Sequence, residues 1–467
     1  MPCRLLHSSC KSVQSVFQQS RSDQTGSQSQ VTELCFRLHL GCGFYYTGNA
    51  RLVKLACYME EAMTEWAEVE KKYYMATFKR LPVVLVRGAG NRVWDENGKE
   101  YLDFFGGLAV NALGHCHPVM IEALNKQAGI LIHTTNLFYT IPQLQLAELL
   151  VQNSCLDKVF FSNSGAEANE GAIKVARKYG HIHRNNAYEI ITVTGSFHGR
   201  TLATIAATGQ QEFQDPFVPL PTGFINVQYD DIDAIRNATN DLTCAVMLEP
   251  IQGEGGVNLP SVEYFAQVRD WCDRNDLLLI FDEVQTGIGR TGTLFAYEQL
   301  GVEPDVMTLA KGLGGGFPVG AILAKEKASV FAPGDHGSTF GGNPLACAVG
   351  YAILKFILEN GLVENTRQTG QYLLSRLAGL KAEFGFITEA RGRGFLCALA
   401  FDRDVSADVV QACLEKGLLI LVCGSYGNVV RVLAPFVITD EQLEKGLSIM
   451  EAGLKEISKG DLRNGKR

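Results

Sequence analysis

"LLLIFDEVQTGIGRTG", residues 277–292, begins as an apolar run and then sets Asp282 and Glu283 side by side. So short an apolar run reads as a strand buried on both faces of a parallel sheet. Ionised carboxylates at the end of such a strand are costly unless a cation or hydrogen-bond donors meet them. Ligands of open α/β sheets lie at the carboxyl ends of the strands. Asp282 therefore marks the edge at which a cationic ligand group is expected.

Runs of the same kind surround it: "KVFFS" from Lys158, "EIITV" from Glu189, "CAVMLE" from Cys244, "VMTLA" from Val306 and "VGAILA" from Val319. Helical patterns separate most of them. The expected architecture is α/β, with a doubly wound, mostly parallel sheet in a large domain at residues 118–343. Upstream, residues 59–117 carry a charged amphipathic helix in "MTEWAEVEKKYYM". A hairpin meander comes next in "LVRGAGNRVWDENGKEYLDFFGG", turning at Asp95–Gly98. From Pro344 two long helical patterns precede "LCALAF", "LLILV" and "VVRVLA", which predicts a smaller α+β domain at residues 344–467.

The residues just past each strand carry the chemistry. After "KVFFS", Ser164 and Glu167 form an S-x-x-E capping box, and Gly165 leaves the helix N-terminus open to an anion such as phosphate. After "EIITV" come Phe197 and Arg200, an aromatic face and a guanidinium suited to a flat ring and a carboxylate. After "CAVMLE", Glu254 stands among glycines that allow close backbone approach. After "VMTLA" comes Lys311, where burial lowers an amine's pKa and favours Schiff-base chemistry. Singly, each has an ordinary structural explanation: a capped helix, a core phenylalanine, a surface arginine, a snorkelling lysine. Together they meet the needs of pyridoxal 5′-phosphate. Its phosphate needs the helix N-terminus, its aldehyde needs Lys311, and its ring nitrogen needs the carboxylate of Asp282.

Other readings are weaker. "GIGRTG" (287–292) satisfies G-x-G-x-x-G, but "DEVQT" separates it from the strand and brings two carboxylates to where a pyrophosphate would rest. "HCHP" (115–118) has no second ligand cluster at a standard spacing, so no metal is expected. A net charge of −8 over 467 residues argues against nucleic acid or an anionic membrane as the main partner. No apolar stretch approaches the ~18 residues that span a bilayer. Thirteen cysteines, without a CxxC pair, fit reduced thiols in a cytosol-like compartment.

Residues 1–58 stand apart: Ser-, Gln- and Cys-rich, with Asp23 and Glu33 their only acids. That composition resembles a mitochondrial transit peptide. "LCFRLHLGCGFYYTGNARLVKLACY", however, is not the amphipathic arginine helix such a peptide needs. The favoured expectation is an upstream translation, with the native start at Met59 or Met63 and a cytoplasmic protein.

The order "SGAEANE", "FHGRT", "LEPIQGEGG", "LIFDEVQTGIGRTG", "TLAKGLGGG" and "GSTFGGNPLA" resembles the class III aminotransferases, fold-type I enzymes that use pyridoxal phosphate. "YLDFFGGLAVNALGHCHP" and "PGDHGSTFGGNPLACA" are most similar to the acetylornithine branch. "LLILVCGSYGNVVRVLAP" looks more like 4-aminobutyrate aminotransferases. The resemblance implies a cofactor site of Ser164, Gly165, Ala166, Phe197, Asp282, Glu283, Val284, Gln285 and Lys311, with Gln285 on the phenolic oxygen. It implies Thr339 from a neighbouring subunit at the phosphate, hence a homodimer, with Ser338 near the substrate. Lys311 and Asp282 would be catalytic. Arg200 would hold the distal carboxylate, and Glu254 with Arg431 would form a gate that opens for the α-carboxylate of glutamate. The implied reaction moves the δ-amino group of N-acetylornithine to 2-oxoglutarate, in arginine biosynthesis. Alternatives are a 4-aminobutyrate or other ω-amino acid aminotransferase, or an aminomutase or decarboxylase of this fold that needs no 2-oxoglutarate.

Overall fold

A computed structural model describes residues 65–424 and 427–464, so the expectations for the leader at 1–58 lie outside the described residues. The chain divides into two units, the first ending at Val83 and the second spanning Val84–Arg467. In the first, α1 (Glu65–Tyr73) opens with Glu65 and Glu68 and closes with Lys71 and Lys72, each charge favourable at its end of the helix dipole. None of its residues is buried.

The second unit begins with the predicted meander: β1 (Leu85–Ala89), β2 (Arg92–Asp95) and β3 (Glu100–Asp103). Its second turn is closed by Gly98 N donating to Asp95 O at 3.0 Å, with Gly98 at φ +81°. The large sheet takes its strands in chain order as β4 (Lys158–Ser162), β5 (Glu189–Val193), β6 (Phe224–Val227), β7 (Thr243–Leu248), β8 (Leu278–Asp282), β9 (Val306–Leu309) and β10 (Gly320–Ala324). They lie side by side in the order β4-β10-β9-β8-β7-β5-β6, with the 277–282 run at the centre. Every residue of β7, β8 and β9 is buried, as a sheet covered on both faces requires.

The direction of β10 departs from the rest. It pairs antiparallel with both β4 and β9, while β9, β8, β7, β5 and β6 run parallel. A parallel return needs a crossover of about a dozen residues or more, usually a helix. The short glycine-rich stretch 310–319 cannot supply one and turns back instead. Lys311 sits in that turn.

The third sheet, β11-β12-β15-β14, comprises β11 (Ile387–Arg393), β12 (Leu396–Phe401), β14 (Leu421–Cys423) and β15 (Val429–Val432). "LLILV", read as one strand, is split. Its first half, β13 (Leu418–Leu419), pairs parallel with β3 in the meander sheet, and its second half enters the third sheet as β14. Two strands carried no recognisable pattern. β6 is a short, half-buried edge strand, and β11 reads "ITEARGR", too polar to announce itself.

Helices α2 (Pro118–Ala128), α3 (Ile141–Gln152), α4 (Gly165–His183) and α5 (Tyr264–Arg274) belong to the large-sheet segment. Then come α6 (Pro344–Glu359), α7 (Leu362–Glu383), α8 (Ser406–Glu415) and α9 (Asp440–Asn464). Asn343 caps α6 by accepting from Ala346 N at 2.9 Å, with Pro344 preset for its first turn. Among the described residues no single helix is long and apolar enough to cross a membrane. α6 and α7 pass only as a pair bent by 66°.

The G-x-G-x-x-G loop serves packing. Arg290 within it is fully buried and donates to Phe395 O at 3.3 Å and Ala434 O at 2.6 Å, with its guanidinium over the Phe436 ring. That fastens the end of β8 to the third-sheet segment. Burial pushes the Arg290 guanidinium down to about 9. Of the "HCHP" histidines, His115 Nε2 lies 2.7 Å from Asp103 Oδ2, and His117 packs on Phe356.

Candidate active site

The sheet's carboxyl edge and the start of α4 enclose a cavity of about 370 Å³. At its floor Ser164 Oγ accepts from Glu167 N at 3.2 Å. The Glu167 carboxylate reaches back to Asn163 N at 2.8 Å, one residue beyond the usual capping-box partner. The first N–H groups of a helix have no partner within it. Those of Gly165 and Ala166, which line the cavity, carry the helix's positive end to it. Glycine is required at 165 because a Cβ would meet Val284 Cγ1 at 2.8 Å.

Asp282, at the end of β8, is buried and lines the same cavity. Its Oδ2 lies 2.8 Å from His198 Nδ1 and accepts from Asn169 Nδ2 at 2.8 Å, and its Oδ1 accepts from Val284 N at 3.0 Å. Asn169 is oriented in turn by Thr308 Oγ1 at 2.7 Å and by its own bond to His198 O. These partners satisfy the lone pairs of a carboxylate taken out of water.

Lys311 faces the cavity with a backbone φ of +37°, a region that non-glycine residues rarely occupy. Strain of this kind gathers at functional positions. Burial pushes its amine below the ordinary lysine range, against a counter-pull from Glu254, whose Oε1 lies 4.0 Å from Nζ.

Glu254 is itself held by Arg431 of β15, Nη1 to Oε1 and Nη2 to Oε2, both 2.8 Å. Gln285 closes a ring. It accepts from Arg431 Nη1 at 3.0 Å and donates to Glu254 Oε1 at 3.2 Å. Burial opposes the charge on Glu254, yet Arg431 and Lys311 outweigh it and hold the carboxyl at about 2. At the mouth, the exposed Arg200 lays its guanidinium 4.1 Å from the Phe213 ring and 5.4 Å from that of Phe197.

The cavity thus gathers Ser164, Gly165, Ala166, Phe197, Arg200, Asp282, Val284, Gln285 and Lys311, with Glu254 and Arg431 joined through Gln285. Three expected residues are not drawn in. Ser338, itself outside the cavity lining, accepts through Oγ from Nδ2 of the lining residue Asn163 at 3.1 Å, and Thr339 is exposed. Glu283, expected at the cofactor, is outside the cavity lining although its neighbours Asp282 and Val284 are in it. Its carboxylate turns away to accept from Ala296 N at 2.8 Å, Tyr297 N at 2.9 Å and Thr286 Oγ1 at 3.1 Å. Neighbouring positions at a strand end point to opposite sides, so only one of the two acids can face the cavity.

Burial pushes the Glu283 carboxyl up to about 7. Its proton is then held more tightly in the folded state, and its contribution to stability is lost as pH rises from the unfolded value near 4.5 through 7. The gap in melting temperature between the parent and Glu283→Gln should therefore shrink between pH 5 and pH 8. A gap constant over that range would mean that Glu283 does not titrate there.

Sequence reasoning missed His198, Asn169 and Glu249. The last two left a trace: Asn169 is a polar residue on the buried face of α4, and Glu249 is an acid ending "CAVMLE", the signal that singled out Asp282.

Comparison with known proteins identifies the family. The profile of the class III aminotransferases matches residues 73–454. This chain is a class III aminotransferase. The aminotransferase is 51% identical over 389 residues to the acetylornithine aminotransferase of Caldanaerobacter subterraneus subsp. tengcongensis, covering 83% of this chain and 98% of that one. Among solved structures, the N-acetylornithine aminotransferase of Stenotrophomonas maltophilia is similar at 39% identity and a TM-score of 0.72, covering 84% of this chain and 99% of that one. The ornithine aminotransferase of Toxoplasma gondii is similar at 33% identity and a TM-score of 0.82, covering 89% of this chain and 100% of that one. Class III aminotransferases use pyridoxal 5′-phosphate, and this aminotransferase carries their α/β fold.

Proposed function

We propose that this aminotransferase moves the δ-amino group of N-acetylornithine to 2-oxoglutarate. The observation that carries this reading is the 51% identity to an acetylornithine aminotransferase across 98% of that enzyme's length. The side chains around the cavity fit the cofactor's groups. The Gly165 and Ala166 amides at the positive end of α4 would take the phosphate. Phe197 would cover one face of the ring, and Asp282 would hold a proton on the ring nitrogen. Lys311 would hold the aldehyde and later carry a proton from the substrate carbon that bears the reacting amine. Bound there, the cofactor supplies an electron sink for the negative charge that develops at that carbon.

A homodimer is part of this reading. Leu137, Phe138, Tyr139, Ile141 and Phe340 are all more than 60% exposed. Asn136 ties the first run to the Ser338–Thr339 loop by donating to Ser338 O at 3.1 Å and Gly341 O at 3.0 Å. An apolar patch of this extent marks an interaction surface. A second copy packed on it would bring Thr339 toward the partner's phosphate site. Free cysteines at all eight described positions agree with a reducing cytoplasm.

The gate gives the substrate test. N-acetylornithine reacts at an amine far from its one carboxylate, which Arg200 would hold, while Arg431 stays on Glu254. Glutamate brings a second carboxylate and needs Arg431 released. Arg431→Ala should slow the glutamate half-reaction by roughly tenfold to a hundredfold more than the acetylornithine half-reaction, the worth of one charge-assisted bidentate contact. Single-turnover kinetics with glutamate, N-acetylornithine, ornithine and 4-aminobutyrate decide both points. Equal losses with every donor would remove the gate. A parental preference for ornithine or 4-aminobutyrate would overturn the substrate.

A further inference from the structure

Glu249 directly follows β7 with its carboxylate inside the molecule, 4% exposed and in the cavity lining. One oxygen accepts from Phe197 N at 2.9 Å and the other from Gly253 N at 3.0 Å. Those amides belong to different loops. The first loop carries Phe197 and Arg200, and the second carries Glu254 one residue after Gly253. The loops run back to back, since a Cβ at Gly255 would meet Gly195 O at 2.2 Å, and Gln252 Nε2 donates to Thr194 O at 2.8 Å. Gly253 also lies hard against the third gate member: a Cβ there would meet Gln285 Cδ at 2.4 Å.

We infer that Glu249 is a positioning residue that couples the loop of Phe197 to the gate loop, so that the aromatic face and the Glu254–Arg431 pair are set by one carboxylate. Two backbone N–H donors need two acceptors. A carboxylate offers two, whereas an amide offers one acceptor and a donor that would oppose the other N–H. The arrangement is costly. Burial pushes the carboxyl up to about 7, with His198 pulling down and Asp282 pushing up further. Packing alone would be served by a neutral residue, and a buried acid kept at such cost within a cavity points to function.

The inference rests on the gate proposed above, and the experiment separates the two. The full-length protein is prepared as parent, Glu249→Gln, Glu254→Ala and the double variant. Two quantities are read: the dissociation constant of pyridoxal phosphate titrated into apoprotein, and the ratio of glutamate to N-acetylornithine single-turnover rates. Glu249→Gln should weaken cofactor binding about tenfold, the loss of one hydrogen bond to a charged group, and raise the ratio in the same direction as Glu254→Ala. In the double variant the ratio should match Glu254→Ala alone, because a residue acting through the gate has nothing left to act on. Should the Gln protein fail to fold, Glu249→Asp, too short to span both amides, should shift both quantities the same way. A lowered melting temperature with both quantities unmoved would reduce Glu249 to packing. Ratio changes that add in the double variant would overturn the coupling while sparing the gate. A ratio indifferent to Glu254→Ala would overturn the gate and the coupling with it.

Discussion

Lys311→Ala should fold, bind pyridoxal phosphate weakly and lose at least about four decades of half-reaction rate, equivalent to about 5 kcal/mol of barrier. The size reflects two roles lost together. In the proposed function the amine would be the nucleophile that holds the aldehyde and the base that moves the substrate proton, the latter alone worth roughly 10²–10⁴. Its lowered affinity for a proton, caused first by burial, favours both roles. The fold should survive because alanine keeps the same backbone at φ +37°. Lys311→Gly, which relieves the strain there, should be more heat-stable than the alanine protein by about 1 kcal/mol. Borohydride reduction of the parent followed by peptide mapping gives an independent check. Reduced cofactor on any other lysine would end the assignment, as would an alanine variant with parental single-turnover rate.

Asp282→Asn should cost two decades or more in the half-reaction, about 2.7 kcal/mol, while leaving cofactor affinity within a few-fold of the parent. In the proposed function affinity would rest mainly on the α4 amides, on Phe197 and on Lys311, none of which the substitution replaces. An amide cannot hold a proton on the ring nitrogen, and its NH₂ would point a donor at His198 or Asn169, both within 2.8 Å of Oδ2. The absorbance spectrum of the loaded protein should shift with pH differently from the parent, because the ring nitrogen then titrates without its counter-charge. Parental turnover in the Asn protein would show that Asp282 supports the loop and no more.

Much of this was legible because it obeys local physics. A buried strand must be apolar until it reaches the ligand edge, so "LLLIFD" and "VMTLA" declared both their strands and the residues that break the rule, Asp282 and Lys311. The reversal of β10 was open to the same reasoning, since 310–319 is too short for a crossover, but direction is not written in composition. The split of "LLILV" was hidden because two strands in different sheets and one strand in one sheet have the same apolar pattern. The doublet named the ligand-facing acid, Asp282, but hid where the Glu283 carboxylate goes, because its donors Ala296 N and Tyr297 N lie 13 and 14 positions along the chain. His198 was invisible in principle: its role depends on a partner 84 positions away.

The parallel pairing of β13 with β3 has a consequence for biosynthesis. Lys99 reaches the carbonyls of Leu414 and Glu415 at the end of α8, 315 and 316 positions along the chain, and Leu102 N and Phe104 N are met by Gly417 O and Leu419 O. While the ribosome is still upstream of codon 417, the meander has been made but one flank of β3 has no neighbour, and a bare strand edge recruits other chains. The nascent polypeptide therefore carries an adhesive edge through most of translation. Prematurely terminated products should aggregate or bind holdase chaperones until the segment around Leu418 arrives to cover it.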